Sequence, residues 1–286
     1  MVSLRMHSDA WAEETSEFEE LVASTGGSAV GLVTGYRKAP HARFFLGRGK
    51  LEEVASLRLE KGVNLIIFNH NLSASQERNL EEKLKCKVLD RTGLILEIFA
   101  QRARTHEGKL QVELAQLKHL STRLIRGWTH LERQKGGIGL RGPGEKQLES
   151  DRRLIRSRIS SVRNSLLKIR QQRSLGRQAR LKLNTRTISL VGYTNVGKST
   201  IFNILTKSGV YAADKVFATL DPTIRRGKVE KIRNTVFSDT VGFIRRLPHS
   251  LIEAFQGTLE EIRGASLLLH VIDASAKDVE SMTHSV

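Results

Sequence analysis

The stretch LVGYTNVGKST, residues 190–200, decides the fold of the C-terminal part of this 286-residue chain. Within it, residues 192–199 read G-x-x-x-x-G-K-S, which is the pattern of a phosphate-binding loop. The apolar run TISLVG (187–192) precedes the loop and predicts a strand, and STIFNIL (199–205) follows it and predicts a helix. This order predicts the first strand, loop and helix of a P-loop nucleotide-binding domain.

The residue types of the loop suit the binding of a nucleotide phosphate. Gly192 and Gly197 permit positive φ angles and a close approach of the backbone, so that successive N–H groups form a cradle for β-phosphate oxygens. The dipole of the following helix adds to that cradle. Lys198 can reach the β- and γ-phosphates, and Ser199 offers a hydroxyl to Mg²⁺.

A second metal ligand is expected after the loop. Asp239-Thr240-Val241-Gly242 reads D-x-x-G at the end of the strand-like run NTVFSD, where an Asp that holds Mg²⁺ should lie. Asp273, which ends the apolar run LLLHVID, is the alternative. We favour Asp239 because Gly242 could then donate its N–H to the γ-phosphate. The segment 90–93 also reads D-x-x-G, but it precedes the loop.

Between the loop and Asp239 lies FATLDPTIRRGK, residues 217–228. It is rich in Thr and turn residues, and it occupies the place of the first switch of a GTPase. Thr219 or Thr223 could close on the metal.

The first hundred residues predict a small parallel α/β domain. Strand-like runs at 28–37, 63–70 and 87–90 alternate with helical patterns at 51–62, 73–85 and 92–103. Ser73 and Gln76 form the signature of a capping box at the start of the second helix.

The middle of the chain is helical and strongly basic. Leu spacing in 108–125 and in 147–173 predicts two long helices that pair as a hairpin. Residues 101–187 hold 22 Lys and Arg but six Asp and Glu, which is +16 of the formal net charge of +17. This concentration favours a polyanionic partner, above all nucleic acid. The connecting stretch GGIGLRGPGE (136–145) predicts irregular structure, and it is either a plain connector or a loop that approaches phosphate.

Bulk properties exclude several classes of protein. Cys86 is the single cysteine, so the sequence holds neither a disulfide framework nor a cysteine-rich zinc site. No apolar run approaches the roughly 18 residues that a membrane span needs, and the N-terminus has no apolar core of secretory type. We expect a monomer in the cytoplasm.

Several motifs together resemble those of the HflX family of ribosome-associated GTPases. They are GYTNVGKST, FATLDPT, DTVGFIRRLPH, QRARTHEGKLQVELAQL and GGIGLRGPGE. The resemblance implies a GTPase of the cytoplasm that binds GTP or GDP with Mg²⁺ and associates with the large ribosomal subunit in splitting or rescue. It implies that the N-terminal domain and the basic helices reach ribosomal RNA.

The resulting fold class is α/β, with three segments. Residues 1–100 form the N-terminal α/β domain, 101–186 the basic helical hairpin, and 187–286 the N-terminal portion of a P-loop G domain. The expected catalytic residues are Lys198, Thr219 and Gly242, and the expected Mg²⁺ ligands are Ser199, Thr219 and Asp239, where the resemblance decides for Thr219. The resemblance also implies that Phe217 to Asp221 form the first switch and Asp239 to Gly242 the second. The expected nucleotide-binding residues are Gly192, Tyr193, Thr194, Asn195, Val196, Gly197, Lys198, Ser199, Thr200, Phe217, Ala218, Thr219, Leu220, Asp221, Asp239, Thr240, Val241 and Gly242.

Two departures from the GTPase pattern affect the function. Phe243 follows Gly242 where Ras-like enzymes carry a Gln that orients the attacking water, so intrinsic hydrolysis should be slow. No N-K-x-D motif for reading guanine occurs in the 286 residues, so we expect weak nucleotide binding and poor discrimination between GTP and ATP. Two alternatives therefore stay open: an RNA- or ribosome-binding protein without turnover, and an ATP-dependent RNA-remodelling protein that uses Asp273.

Overall fold

The computed structural model divides the chain into two compact units. The first combines Met1–Glu97 with Gln116–Ile159, and the second combines Ile98–Ala115 with Ser160–Val286. The middle segment of the sequence thus contributes to both units. The structure describes residues 1–6, 11–127, 143–209, 215–229, 232–248, 251, 256–276, 279–284 and 286.

The N-terminal hundred residues alternate strands and helices, as the sequence predicts. The elements are β1 (Val2–Arg5), α1 (Trp11–Ser24), β2 (Val33–Tyr36), α2 (Arg48–Lys61), β3 (Leu65–Ile67), α3 (Ala74–Leu84), β4 (Lys87–Leu89) and α4 (Arg91–Arg102). β1 pairs with β2 and β3 pairs with β4, in both cases in parallel. A parallel bridge between Val2 and Phe68 continues the pairing from β1 towards β3. The expectation of parallel strands is confirmed, whereas β1 and α1 were not predicted.

Local signals set the helix ends in this region. The Ser73 side chain accepts a hydrogen bond from Gln76 N, and the Gln76 side chain accepts one from Ser73 N, which completes the predicted capping box. α2 ends at Gly62, whose φ of 62° is left-handed and suits glycine. Between these elements a core forms from buried aliphatic and aromatic side chains, among them Leu4, Leu46, Phe68 and Leu80.

Two long helices follow, as predicted. They are α5 (His106–Gly127) and α6 (Pro143–Lys182). Arg173 of α6 pairs with Glu107 of α5 at 2.8 Å in the second unit. The prediction that 136–145 is irregular is wrong at its end, because α6 begins at Pro143, and proline is well suited to the first turn of a helix. Residues 128–142 lie outside the described residues. They include Trp128, Arg141 and the rest of the glycine-rich stretch.

The second unit contains a four-stranded sheet. Its elements are β5 (Arg186–Gly192), α7 (Lys198–Thr206), β6 (Thr223–Val229), β7 (Ile232–Asp239), α8 (Gln256–Arg263), β8 (Leu267–Val271) and α9 (Val279–His284). The strand order is β6-β7-β5-β8, with β5 parallel to both neighbours and β6 antiparallel to β7. Ile188, Leu190, Phe202 and Phe237 form the core between the sheet and α7.

β8 is an edge strand in the described sheet. Its residues Leu267 and Leu268 are 52% and 48% exposed, although both are large and apolar.

Arginines in the C-terminal part of α6 form ion pairs with glutamates of α8, in the second unit. Arg177 and Arg180 contact Glu260 and Glu261 of α8 at 3.4 and 3.1 Å, and Arg170 lies 3.6 Å from Glu260. Glu261 is buried, so its pairing with Arg180 compensates for the loss of water around the carboxylate. Among the described helices, none combines the length and the apolar character that a membrane span requires.

Candidate nucleotide site

The phosphate-binding loop joins the end of β5 to the start of α7, as the sequence predicts. Gly197 is the N-cap of α7 with φ of 83°, and Asn195 is also left-handed with φ of 64°. Gly192 has φ of 154°, and a Cβ at this position would lie 2.4 Å from the Val271 carbonyl oxygen of β8. Glycine is therefore required at 192 by close packing against the neighbouring strand.

Lys198 is buried at the floor of the site, with 6% of its surface exposed. Its Nζ donates a hydrogen bond of 2.5 Å to the Tyr193 carbonyl oxygen. Burial lowers the pKa of Lys198 to about 8, while the Asp239 carboxylate acts in the opposite direction. A cation held in this position is available to a phosphate oxygen that enters the loop.

Three oxygen-bearing side chains converge beside the loop. The Ser199 hydroxyl donates to Asp239 Oδ2 at 2.6 Å, and the Thr219 hydroxyl donates to the same oxygen at 3.1 Å. The two hydroxyl oxygens are 2.8 Å apart. We call Ser199, Thr219 and Asp239 the oxygen cluster.

The oxygen cluster fits Mg²⁺ by its chemistry. Asp239 is fully buried, and burial raises the pKa of its carboxyl against the lowering effect of the two hydroxyl hydrogen bonds and Lys198. Its second oxygen, Oδ1, is buried without a hydrogen-bond partner among the described residues. Mg²⁺ prefers oxygen ligands and is usually bound through one or two carboxylates together with phosphate and water, which matches this set.

The cleft between the loop and the segment around Thr219 has a volume of about 290 Å³. Of the predicted nucleotide-binding residues, the structure places these along it: Thr194, Asn195, Gly197, Lys198, Ser199, Thr200, Phe217, Ala218, Thr219, Thr240 and Gly242. Lys215 also lines the cleft, and no sequence motif singled it out. Leu220 and Val241 are instead buried in the protein, and Asp221 points its carboxylate at the segment before α5.

The alternatives from the sequence occupy other places. Asp273 is exposed, and its carboxylate accepts hydrogen bonds from the Ser275 N–H and hydroxyl at 2.9 and 2.7 Å. Thr223 lies in β6, paired with Asp239 in the strand register. Asp90, of the earlier D-x-x-G, belongs to the first unit, where it pairs with Arg123 at 2.8 Å.

The backbone of Phe243, directly after Gly242, is joined to the phosphate-binding loop by hydrogen bonds. Thr194 N donates to Phe243 O at 2.8 Å, and Phe243 N donates to Gly192 O at 3.1 Å. The Tyr193 hydroxyl accepts a further hydrogen bond from Arg245 N at 2.8 Å. The sequence shows that position 243 holds Phe in place of the Gln of Ras-like enzymes. It does not reveal the short parallel bridge between Tyr193 and Phe243.

Three family models together match nearly the whole chain. The region 12–100 matches the model described as "GTP-binding GTPase N-terminal", 102–180 matches "GTP-binding GTPase Middle Region", and 187–286 matches "50S ribosome-binding GTPase". The GTPase HflX of Escherichia coli strain K12 is 58% identical over 286 residues, which is all of this chain and 67% of that protein. The chain belongs to the HflX family of GTPases.

Other relatives agree with this assignment. The GTPase HflX of Magnetococcus marinus is 54% identical over 251 residues, which cover 87% of this HflX-family chain and 58% of that protein. The chain thus spans about two thirds of the length of the first of these relatives and less of the second.

Solved structures with the same fold are GTP-binding proteins. The SsGBP–GDP complex aligns with a TM-score of 0.57 at 24% identity, over 99% of this HflX-family chain and 74% of that one. A GTP-binding protein from Sulfolobus solfataricus in complex with GDP aligns with a TM-score of 0.53 at 23% identity, over 100% and 75% of the two chains. At these identities the likeness establishes the α/β fold with a P-loop GTPase domain.

Proposed function

We propose that this chain is the part of an HflX-type GTPase that binds the phosphates of GTP with Mg²⁺, and that its basic helices bind RNA of the large ribosomal subunit. The observation that carries the first half is that Lys198, Ser199 and Thr219 line one cleft, where both hydroxyls donate to the Asp239 carboxylate. The family description of residues 187–286 as a 50S ribosome-binding GTPase supports the second half. Such a partner implies the cytoplasm as the place of action, and we retain the expectation of a monomer.

In the proposed reaction, the loop N–H groups hold the β-phosphate and Lys198 neutralises charge on the β- and γ-phosphates. Ser199, Thr219 and Asp239 would hold Mg²⁺, which supplies charge neutralisation between those phosphates. Gly242 would present its N–H to the γ-phosphate. The positions of these groups beside the cleft support the assignment.

The chain offers no side chain at position 243 that could orient the attacking water. A phenyl ring neither donates nor accepts the required hydrogen bond, and the Phe243 backbone is engaged with the loop. We therefore propose that intrinsic hydrolysis is slow and that contact with the ribosome supplies or positions the missing group. The chain would then act as a switch that is reset on its partner.

The RNA-binding half of the proposal rests on the charge of residues 101–187 and on exposed side chains of α6. Arg153, Arg156 and Arg163 are exposed on this helix. By contrast, the arginines near its C-terminal end contact glutamates of α5 and α8, so they neutralise protein charge. We assign phosphate contacts to the former set.

The nucleotide assignment is tested with Asp239→Ala beside Asp273→Ala. Binding of fluorescent GDP, GTP and ATP analogues is measured with and without Mg²⁺, both in this chain and in a version extended to the length of its relatives. We expect Asp239→Ala alone to abolish the Mg²⁺ dependence. If the Mg²⁺ dependence of nucleotide binding is lost only in the Asp273→Ala variant, the result would instead support the ATP-dependent alternative.

The RNA assignment is tested by replacing Arg153, Arg156 and Arg163 with Gln. The matched control replaces the exposed Lys207, Arg225 and Arg226, which removes the same charge from the nucleotide-binding region. If the three α6 residues each contact a phosphate, the slope of log affinity for ribosomes against log salt should become less steep by about 2–3. An unchanged slope would contradict the assignment. If this chain and its extended version both bind RNA but neither hydrolyses GTP, the result would support the alternative of an RNA-binding protein without turnover.

A further inference from the structure

The carboxylate of Asp221 is held by the segment that leads into α5. Its Oδ2 accepts hydrogen bonds from the backbone N–H groups of Arg104 and Thr105, each at 2.8 Å. Its Oδ1 accepts one from the Thr105 hydroxyl at 2.6 Å. The Thr105 hydroxyl oxygen in turn accepts from Gly108 N at 2.9 Å, so the first turn of α5 is part of the same network.

Because Gly108 has no side chain, there is room beside it for the Asp221 carboxylate. A Cβ built at position 108 would lie 1.9 Å from Asp221 Oδ1, far inside the distance at which two such atoms can approach. Gly108 is buried in a helix, where alanine would otherwise be preferred over glycine. The glycine is therefore explained by the approach of Asp221 rather than by the needs of α5.

A second contact holds the other end of the same segment. Phe217 has φ of 55°, which is a rare conformation for a bulky side chain. Such a conformation persists only when its surroundings enforce it. The Phe217 ring packs edge-on against Phe99 at 4.8 Å between centroids, and both rings are almost completely buried.

Thr219 lies midway between these two contacts. Its hydroxyl belongs to the oxygen cluster with Ser199 and Asp239. The backbone on both sides of Thr219 is thus fixed by residues of the 98–108 region, which belongs to the same compact unit. The contacts of the 98–108 region with Phe217 and Asp221 reach the oxygen cluster by way of Thr219.

We propose that Asp221, Thr105 and Gly108 are positioning residues, which hold the first switch so that the Thr219 hydroxyl is ready for the metal of a bound triphosphate. This inference rests on the proposed function, because it takes Thr219 as a Mg²⁺ ligand. First switches of GTPases are ordered by contacts to the γ-phosphate and its Mg²⁺. A first switch that is already held loses less conformational entropy on binding the triphosphate, so the three residues favour GTP over GDP.

The test uses five substitutions in the full 286-residue chain. Asp221→Ala removes the acceptor, and Gly108→Ala keeps every hydrogen-bonding group but forces the carboxylate away. Thr105→Val removes the hydroxyl, and Thr105→Ser retains it as the conservative control. Thr219→Ala tests the metal ligand itself.

Two readouts separate positioning from general stability. Hydrogen exchange of the 215–222 peptide without nucleotide reports whether the segment is held. The ratio of dissociation constants for GDP and a non-hydrolysable GTP analogue, both with Mg²⁺, reports the preference for triphosphate. Loss of the Asp221 hydrogen bonds should speed the exchange by about tenfold and lower the preference by about three- to tenfold.

We expect Asp221→Ala, Gly108→Ala and Thr105→Val to behave alike and Thr105→Ser to behave like the unchanged chain. The double variant Gly108→Ala, Asp221→Ala should be no worse than Asp221→Ala, because the clash disappears with the carboxylate. Strictly additive effects in that double variant would overturn the inference.

Two further outcomes distinguish this inference from the proposed function. If Thr219→Ala lowers the triphosphate preference while Asp221→Ala changes neither readout, the inference is overturned and the metal assignment stands. If Thr219→Ala keeps the preference, the assignment of Thr219 as a Mg²⁺ ligand fails and the inference fails with it.

Discussion

Replacing Gly242 with alanine should disturb the junction between the phosphate-binding loop and the second switch. A Cβ at this position would lie 2.6 Å from Thr194 Cα and 2.8 Å from both Thr194 N and Cγ2. Ordinary contact begins near 3.4 Å, so the two backbones must separate by roughly 0.6–0.8 Å. Because two of the close atoms are backbone, a side-chain rotation cannot relieve the overlap.

The cost of this separation follows from what it disrupts. Overpacking of a close contact costs about 1–3 kcal/mol. The backbone hydrogen bonds between Phe243 and the loop, at 2.8 and 3.1 Å, contribute about 0.5–1.5 kcal/mol each and lengthen as the backbones part. We expect the free energy of unfolding to fall by about 1–3 kcal/mol, as the loss is partly relieved by relaxation.

The assay combines urea unfolding with titration of fluorescent GDP and GTP analogues. GTP affinity should fall more than GDP affinity, because the Gly242 N–H is assigned to the γ-phosphate and is displaced when the two backbones separate. Gly176→Ala is the matched control: its Cβ would meet nothing within 4 Å, and alanine in a helix should add up to about 1 kcal/mol of stability. A Gly242→Ala chain with unchanged stability and an unchanged GTP-to-GDP ratio would refute the reasoning.

Three further predictions concern charge. Phosphate binding should raise the pKa of Lys198 from about 8, so nucleotide affinity should fall as the pH rises above about 8, and Lys198→Ala should remove this dependence in a titration series. Burial raises the pKa of Glu77 to about 7 from an ordinary 4.5, so the folded state binds the proton more tightly than the unfolded state. Unfolding free energy should therefore decrease between about pH 4.5 and 7, and urea titrations of Glu77→Gln should show a weaker decrease. Arg180→Gln leaves the buried Glu261 carboxylate without its arginine and should cost about 1–3 kcal/mol, whereas Arg153→Gln on the exposed face of the same helix should change stability by less than about 0.5 kcal/mol.

The parts of the fold that the sequence predicts are those set by local rules. The capping box at Ser73, the helix stop at Gly62 and the strand–loop–helix around Lys198 each depend on residues within a few positions of one another. β1 was not predicted because a strand of four residues is too short to show a clear alternation of apolar and polar residues. Its place in the fold depends on pairing with β2, some thirty positions later.

The parts of the site that escaped prediction depend on long-range contacts. Asp221 stands in a motif that suggests phosphate binding, yet its partner Thr105 lies 116 residues earlier in the chain. Likewise, the role of Phe243 in bridging to the loop is a property of its backbone, which no side-chain pattern encodes. Net charge located the basic helices but could not separate arginines such as Arg180, which neutralise protein glutamates, from those that face solvent.

The space shared by Gly108 and Asp221 also constrains how this sequence can change over evolutionary time. A mutation that adds any side chain at 108 collides with the carboxylate, so its fitness effect depends on what occupies 221. The order of events then matters: a smaller residue at 221 must arrive first, and afterwards position 108 becomes free to drift. Among related chains, we expect the identities at these two sites to covary, with aspartate at 221 restricted to lineages that keep glycine at 108.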